Sequence, residues 1–257
     1  MADLNRRTIG QAGVQTQAGI DEGLRAYMLK VYNYMAIGLA LTGVAALLFA
    51  NMATTGDAGS AAAQLPNGKM LTDFGVTLFT SPLRWVVMLA PLGLVFFLSF
   101  RVHTMSVSAA QITFWAYAAL VGVSLSSIFV IYTPESITQV FFVTSASFLG
   151  LSLYGYTTKK DLSGWGSFLM MGLIGIIIAA VVNIFLQSSA LQFAISVIGV
   201  LVFAGLTAYD TQQIKEMYNL NDDGTVSGRK AIMGALRLYL DFINMFIMLL
   251  QLFGNRN

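Results

Sequence analysis

Cysteine is absent from the chain and histidine occurs once, at His103. Disulfides, zinc thiolate sites and iron–sulfur ligation are thereby excluded, and a multi-histidine metal centre cannot be built. Charge is also scarce: charged residues make up 10% of the 257 residues, against about 25% in soluble domains. Fourteen basic and 12 acidic residues leave a net charge of +2, too small a field to attract nucleic acid. What fills the chain instead is apolar: 56% hydrophobic residues and a mean hydropathy of +0.72. A soluble fold this apolar lacks the polar groups to cover its surface. The composition excludes an ordinary soluble enzyme, a disordered chain and a disulfide scaffold, and points to an integral membrane protein whose main partner is the lipid bilayer.

Residues Met1 to Arg25 are polar and Gly/Gln-rich, with no early apolar core of the kind a cleavable signal peptide needs. They read as a polar cytoplasmic tail, 1–25, ahead of a transmembrane domain, 26–257. A spanning helix needs about 20 mostly apolar residues. Seven stretches qualify: Tyr27 to Met52, Leu83 to Phe100, Ser106 to Tyr132, Ser136 to Tyr156, Trp165 to Leu186, Ala190 to Ile214 and Gly234 to Phe253. Barrel alternation is absent, so the fold class is all-α, with seven transmembrane helices. The turns at Thr133–Glu135 and Gln187–Ser189 are short enough to force antiparallel neighbours, and the long Ala53–Pro82 loop reads as irregular. Small residues at Ala146, Gly150, Gly172, Gly175, Gly199 and Gly205 are expected at helix contacts.

Orientation follows from lysine and arginine. With the N-terminus inside, the cytoplasmic side holds Arg6, Arg7, Arg25, Lys30, Arg101, Lys159, Lys160, Lys215, Arg229 and Lys230, and the other side Lys69, Arg84 and Arg256. Ten against three is a clear positive-inside bias. An odd number of spans then puts the C-terminus outside.

An ionisable group inside a span costs about 2.5–3.5 kcal/mol on insertion scales and needs a reason. Asp210, in Leu206-Thr-Ala-Tyr-Asp-Thr-Gln212, and Asp241, in Leu238-Tyr-Leu-Asp-Phe-Ile-Asn244, stand out. Each lies about one turn inside the cytoplasmic boundary, so the two carboxylates are placed to meet at similar depth if their helices face each other. A facing pair would share one proton and titrate as a coupled unit. Protonated, it can hydrogen-bond and clamp the helices. Deprotonated, it repels or admits a cation such as Ca²⁺, whose ligands are hard oxygens. The blander alternatives are an i, i+4 ion pair of Arg237 with Asp241 and a pairing of Asp210 with Lys215. Arg101, ending the second span at the same level, is either a latch for an aspartate or a topology anchor. Asn183 and Asn244 read as interhelical hydrogen-bonders.

Three segments resemble a known family. Ala-Leu-Arg-Leu-Tyr-Leu-Asp-Phe-Ile-Asn (235–244) resembles the last-helix signature of the Bax-inhibitor family, the transmembrane Bax-inhibitor-motif proteins. Ala-Tyr-Asp-Thr-Gln-Gln-Ile-Lys (208–215) is similar to that family's sixth helix, and Tyr-Gly-Tyr-Thr-Thr-Lys-Lys-Asp-Leu-Ser (154–163) to its fourth-to-fifth loop. The resemblance extends from about Lys30 to Gly254, and the polar tail resembles the bacterial branch. It implies a seven-helix fold with the last helix near the centre, and a pH-sensitive calcium leak channel of the cell membrane. The family's two-aspartate pH sensor maps onto Asp210 and Asp241, and its latch onto Arg101. Arg237 departs from the pattern: a cation one turn from Asp241 would shift gating toward lower pH.

Two other classes compete. Intramembrane aspartyl proteases place Tyr-Asp on one helix and a second Asp on the next, and two carboxylates sharing a proton can activate water. Their second aspartate follows Gly-x-Gly, however, while Asp241 follows Leu238-Tyr239-Leu240, and no proline lies beyond Pro134 for a Pro-Ala-Leu segment. The third class is a regulatory membrane protein that conducts nothing. The expectation is a channel rather than an enzyme, with no cofactor beyond Ca²⁺ as a permeant or bound ion.

Overall fold

The computed structural model describes the backbone of residues 2–256 and the side chains of residues 22–256. The 1–25 tail therefore lies, up to Asp21, outside the described side chains. The elements run α1 (Ala2–Ala53), β1 (Thr54–Thr55), β2 (Ala63–Gln64), β3 (Met70–Leu71), α2 (Asp73–Thr80), α3 (Leu83–Arg101), α4 (Val107–Leu125), α5 (Ile128–Ile131), α6 (Pro134–Thr157), α7 (Ser163–Leu186), α8 (Ser189–Glu216) and α9 (Gly224–Phe253). Seven helical segments are long and apolar enough to cross a membrane: Glu22–Ala53, Leu83–Thr104, Val107–Ile131, Pro134–Thr157, Ser163–Leu186, Ser189–Glu216 and Gly224–Phe253. The expected fold class and span order are thus found.

Polar caps fix where the helices begin. The free N–H groups of a helix start need an acceptor, and a polar side chain at the cap can supply it. Ser106, Thr133, Ser188 and Asp223 do this for α4, α6, α8 and α9, accepting from the backbone N–H of Ala109, Ser136, Leu191 and Val226. The tight α7–α8 turn places Gln187 in the left-handed region, at φ 48°. The Asn183 side chain holds that turn by accepting from the Ser188 N–H at 3.0 Å.

Helix α9 is the centre of the bundle. Of its apolar window 67% is buried, against at most 39% in any other span. On one side of it α1 packs on α4 and α4 on α3; on the other, α8 packs on α6 and α7; α9 itself touches α1, α4, α6 and α8. Backbones of neighbouring spans come close at Gly122, where a Cβ would strike the Thr42 carbonyl of α1, and at Gly155, where it would strike the Ala208 carbonyl of α8. Gly150 and Gly175, expected at such contacts, face open space, whereas Gly172, Gly199 and Gly205 do meet neighbouring helices.

Tyr239 anchors the α1–α4–α9 contact. It is fully buried, stacked edge-on against Phe114 and Tyr117. Its hydroxyl lies 2.6 Å from Thr42 Oγ1, which itself faces the Ala118 carbonyl at 2.8 Å. Because the Thr42 proton is directed to a carbonyl, Tyr239 is the donor to Thr42.

The Ala53–Pro82 loop is ordered rather than irregular. Its strands pair antiparallel in the order β1-β3-β2, and α2 follows, capped by Thr72. Two-residue strands carry too little alternation for a sequence pattern to reveal them. Helix α9 also starts ten residues before Gly234, at Gly224. Its polar opening turns lie alongside the α8–α9 loop, where Lys230 binds Asp222 at 2.5 Å and the Met217 carbonyl at 3.0 Å.

Candidate functional site: a buried carboxylate pair and a guanidinium

Helices α8 and α9 run antiparallel, with Gly234 against Ile214 and Arg237 against Asp210. Arg237 Nη1 lies 4.0 Å from Asp210 Oδ1, with the Asp210 side chain 15% exposed and that of Arg237 45%. Asp241 sits one turn further along α9 and is 4% exposed. Its Oδ2 is buried and has no hydrogen-bond partner among the described residues. Arg237 precedes Asp241 by one turn on α9 and reaches Asp210 across the α8–α9 contact. The structure therefore brings together Asp210, Asp241 and Arg237.

The pairing differs from both of the simple ones that the spacing offered. Arg237 does not join Asp241 in an i, i+4 pair; it crosses to Asp210 on the neighbouring helix. Helical side chains lean toward the N-terminus of their helix, and a long arginine carries its head toward the interface. On α9 both tendencies draw Arg237 away from the deeper Asp241. Lys215 is not the partner of Asp210: its Nζ donates to the Tyr156 carbonyl at 2.8 Å and lies over the Tyr156 ring. Arg101 is exposed at the end of α3 and joins neither aspartate in an ion pair among the described residues. The turn after it is held by Arg229, which donates to the carbonyls of Met105 at 2.6 Å and His103 at 2.7 Å.

Several polar residues around the pair carry no sequence signal beyond their presence in a span. Gln212, two residues from Asp210, ties the α6–α7 loop to α8: its Oε1 accepts from the Leu162 N–H and its Nε2 donates to the Lys160 carbonyl, both at 2.8 Å. A hydroxyl chain runs from Tyr32 on α1 to Ser152 on α6 at 2.5 Å and on to Thr211 on α8 at 3.0 Å. At the opposite end of the bundle Gln251 Oε1 accepts from Gln192 at 2.8 Å and Ser196 at 2.8 Å, and Asn183 donates to Gln192 at 3.1 Å. Asn183 is thus an interhelical hydrogen-bonder, whereas Asn244 returns to the Leu240 carbonyl of its own helix.

Among the described residues no three His, Cys, Asp or Glu side chains cluster as a metal site. The pair offers two carboxylates, whereas Ca²⁺ takes about 6–8 oxygen ligands. Two carboxylates alone fall short of such a cage. With both acids ionised, two negative charges face one positive; one added proton brings the group to neutrality.

These features define a class: a seven-span helical membrane protein whose central helix buries a carboxylate beside a second carboxylate and a guanidinium. The family described as "Inhibitor of apoptosis-promoting Bax1" matches residues 24–257, and the chain belongs to it. The chain is 47% identical over 236 residues to protein RP147 of Rickettsia prowazekii, covering 92% of each. It is 46% identical over 237 residues to the inner membrane protein YbhL of Escherichia coli K12, covering 91% of this chain and 93% of that one. A protein of Caulobacter vibrioides is 45% identical over 236 residues, covering 91% and 90%.

Proposed function

We propose that the protein is a pH-sensitive cation leak channel of the bacterial inner membrane, with Ca²⁺ as the permeant ion and the Asp210–Asp241 pair as proton sensor. The observation that carries this reading is Asp241, a carboxylate buried in the central helix with an oxygen that has no hydrogen-bond partner among the described residues. Intramembrane acids of this kind mark ion and proton routes. The location rests on the name of the YbhL relative, an inner membrane protein. The positive-inside bias supports an N-terminus in the cytoplasm and a C-terminus outside.

The sign of the pH response follows from charge. One proton on the pair leaves the Asp210–Asp241–Arg237 group neutral, and the helices stay closed around it. Losing that proton leaves a net −1 at a poorly solvated site, which favours separation of α8 from α9 and entry of water and a cation. Cation flux therefore rises with pH. Arg237 holds the charge of the site one unit more positive than two aspartates alone would give. The test is Ca²⁺ flux into proteoliposomes between about pH 5 and about pH 8, for wild type beside Asp241→Asn. Loss of the pH dependence in the variant is expected; an unchanged profile would overturn the sensor assignment.

A further inference from the structure

We propose that the seam between α1 and α6 is a binding site for one glycerophospholipid, with its acyl chains in the cleft and its phosphodiester on Arg25. Around α9, the helices of each half pack side by side, but α1 and α6 flank it without packing closely on each other. The gap between them is a cleft of about 480 Å³. Leu29, Leu149 and Leu153 form its walls and are 53%, 65% and 62% exposed, toward the bilayer. Tyr32 and Ser152 form its floor, joined at 2.5 Å by the hydrogen bond that links the two helices. Water gains little from such walls, whereas an acyl chain fills them without exposing apolar surface.

The rim supplies the other half of the match. Arg25 lines the cleft, is exposed, and joins no ion pair among the described residues. It stands in the first turn of the Glu22–Ala53 span, at headgroup level. Lys215 adds a second cation beside the rim, bound to the carbonyl of Tyr156, which also lines the cleft. Arg25 at the rim of apolar walls, with Lys215 nearby, complements a phosphodiester above acyl chains. The lipid would rest on the Tyr32–Ser152–Thr211 hydroxyl chain, and Thr211 is the residue after Asp210. An occupant of the seam thereby bears on the hydrogen bonds that tie α1 and α6 to α8. This site stands whether or not the protein conducts ions.

The test is native mass spectrometry of the full chain in mild detergent, titrated with phosphatidylglycerol. One lipid should be retained by the wild type. Arg25→Gln should weaken retention about fivefold, the weight of one basic residue against an anionic headgroup. Leu153→Trp, at a bilayer-facing position, should fill the cleft and remove the retained lipid, with an unfolding temperature like that of wild type showing that the fold is kept. Glycerophosphate, which has the headgroup but no acyl chains, should not displace the lipid. Equal retention by wild type and both variants, or displacement by glycerophosphate, would overturn the proposal.

Discussion

Replacing Arg237 by glutamine removes the cation that crosses from α9 to Asp210. The two groups lie 4.0 Å apart. At an effective dielectric of about 20 the Coulomb energy of such a pair is about 4 kcal/mol. Solvent screening lowers that figure, because the Arg237 side chain is 45% exposed. Fully exposed pairs are worth about 0–1 kcal/mol, and breaking buried ones costs about 3–5 kcal/mol. With Asp210 only 15% exposed, the expected loss lies between these limits, at about 2 kcal/mol. For a chain of this size that lowers the unfolding temperature by about 4–8 °C. Thermal unfolding of the detergent-solubilised protein at neutral pH reads it directly. Arg101→Gln is the control: an exposed side chain without an aspartate partner among the described residues should change stability by less than about 0.5 kcal/mol. Flux should move as well, since removing the guanidinium makes the acid site one unit more negative at every pH. If Arg237→Gln melts with the wild type while Arg101→Gln melts early, the pairing is wrong and the latch belongs to Arg101.

Three further predictions concern packing, core polarity and acid sensitivity. Gly155→Val drives side-chain atoms into the Ala208 backbone, which has no room to yield, and should destabilise by about 1–3 kcal/mol in a thermal melt. Tyr239→Phe removes the donor to Thr42, while the Thr42 hydroxyl keeps its carbonyl partner, so the loss should be about 1 kcal/mol; a neutral result in the same melt would show that this bond adds nothing. Outside the spans, the Ser163 backbone N–H, 2.8 Å from Asp161 Oδ1, holds the Asp161 carboxyl below its ordinary value of 3.8. A depressed folded value means that the bond's contribution is complete above that ordinary value and fades as pH falls through the lower, folded one. NMR titration should therefore place Asp161 below exposed aspartates of the same chain, and Ser163→Pro, which removes the N–H, should return it to their range.

The spans were legible because the bilayer sets their length, and a run of about 20 apolar residues leaves few alternatives. The start of α9 was not, because Gly224 to Met233 mixes glycine, serine, arginine and lysine and has the composition of a loop. Only tertiary placement beside the α8–α9 turn, with Lys230 on Asp222, makes it helix. The same limit applies at the site. Asp210 and Asp241 announced themselves as acids inside apolar runs, which needs no three-dimensional information. Their counter-ion did not, since Arg237 is i, i+4 from Asp241 and across a helix interface from Asp210, and spacing alone favours the local partner. Nor could spacing assign Lys215, whose partner is the Tyr156 carbonyl near the end of α6. The tyrosine and threonine hydroxyls that knit the helices, Tyr239 with Thr42 and Tyr32 with Ser152, are separated by 197 and 120 residues, a range at which a single sequence holds no pairing signal.

The most direct test of the central claim is Ca²⁺ flux into liposomes carrying the pure protein, scanned from about pH 5 to about pH 8 beside the Asp210→Asn/Asp241→Asn double variant. A flux that rises with pH in the wild type and is flat in the double variant is the predicted result. A wild type that moves no cation at any pH, or a double variant with the wild-type profile, would contradict the account.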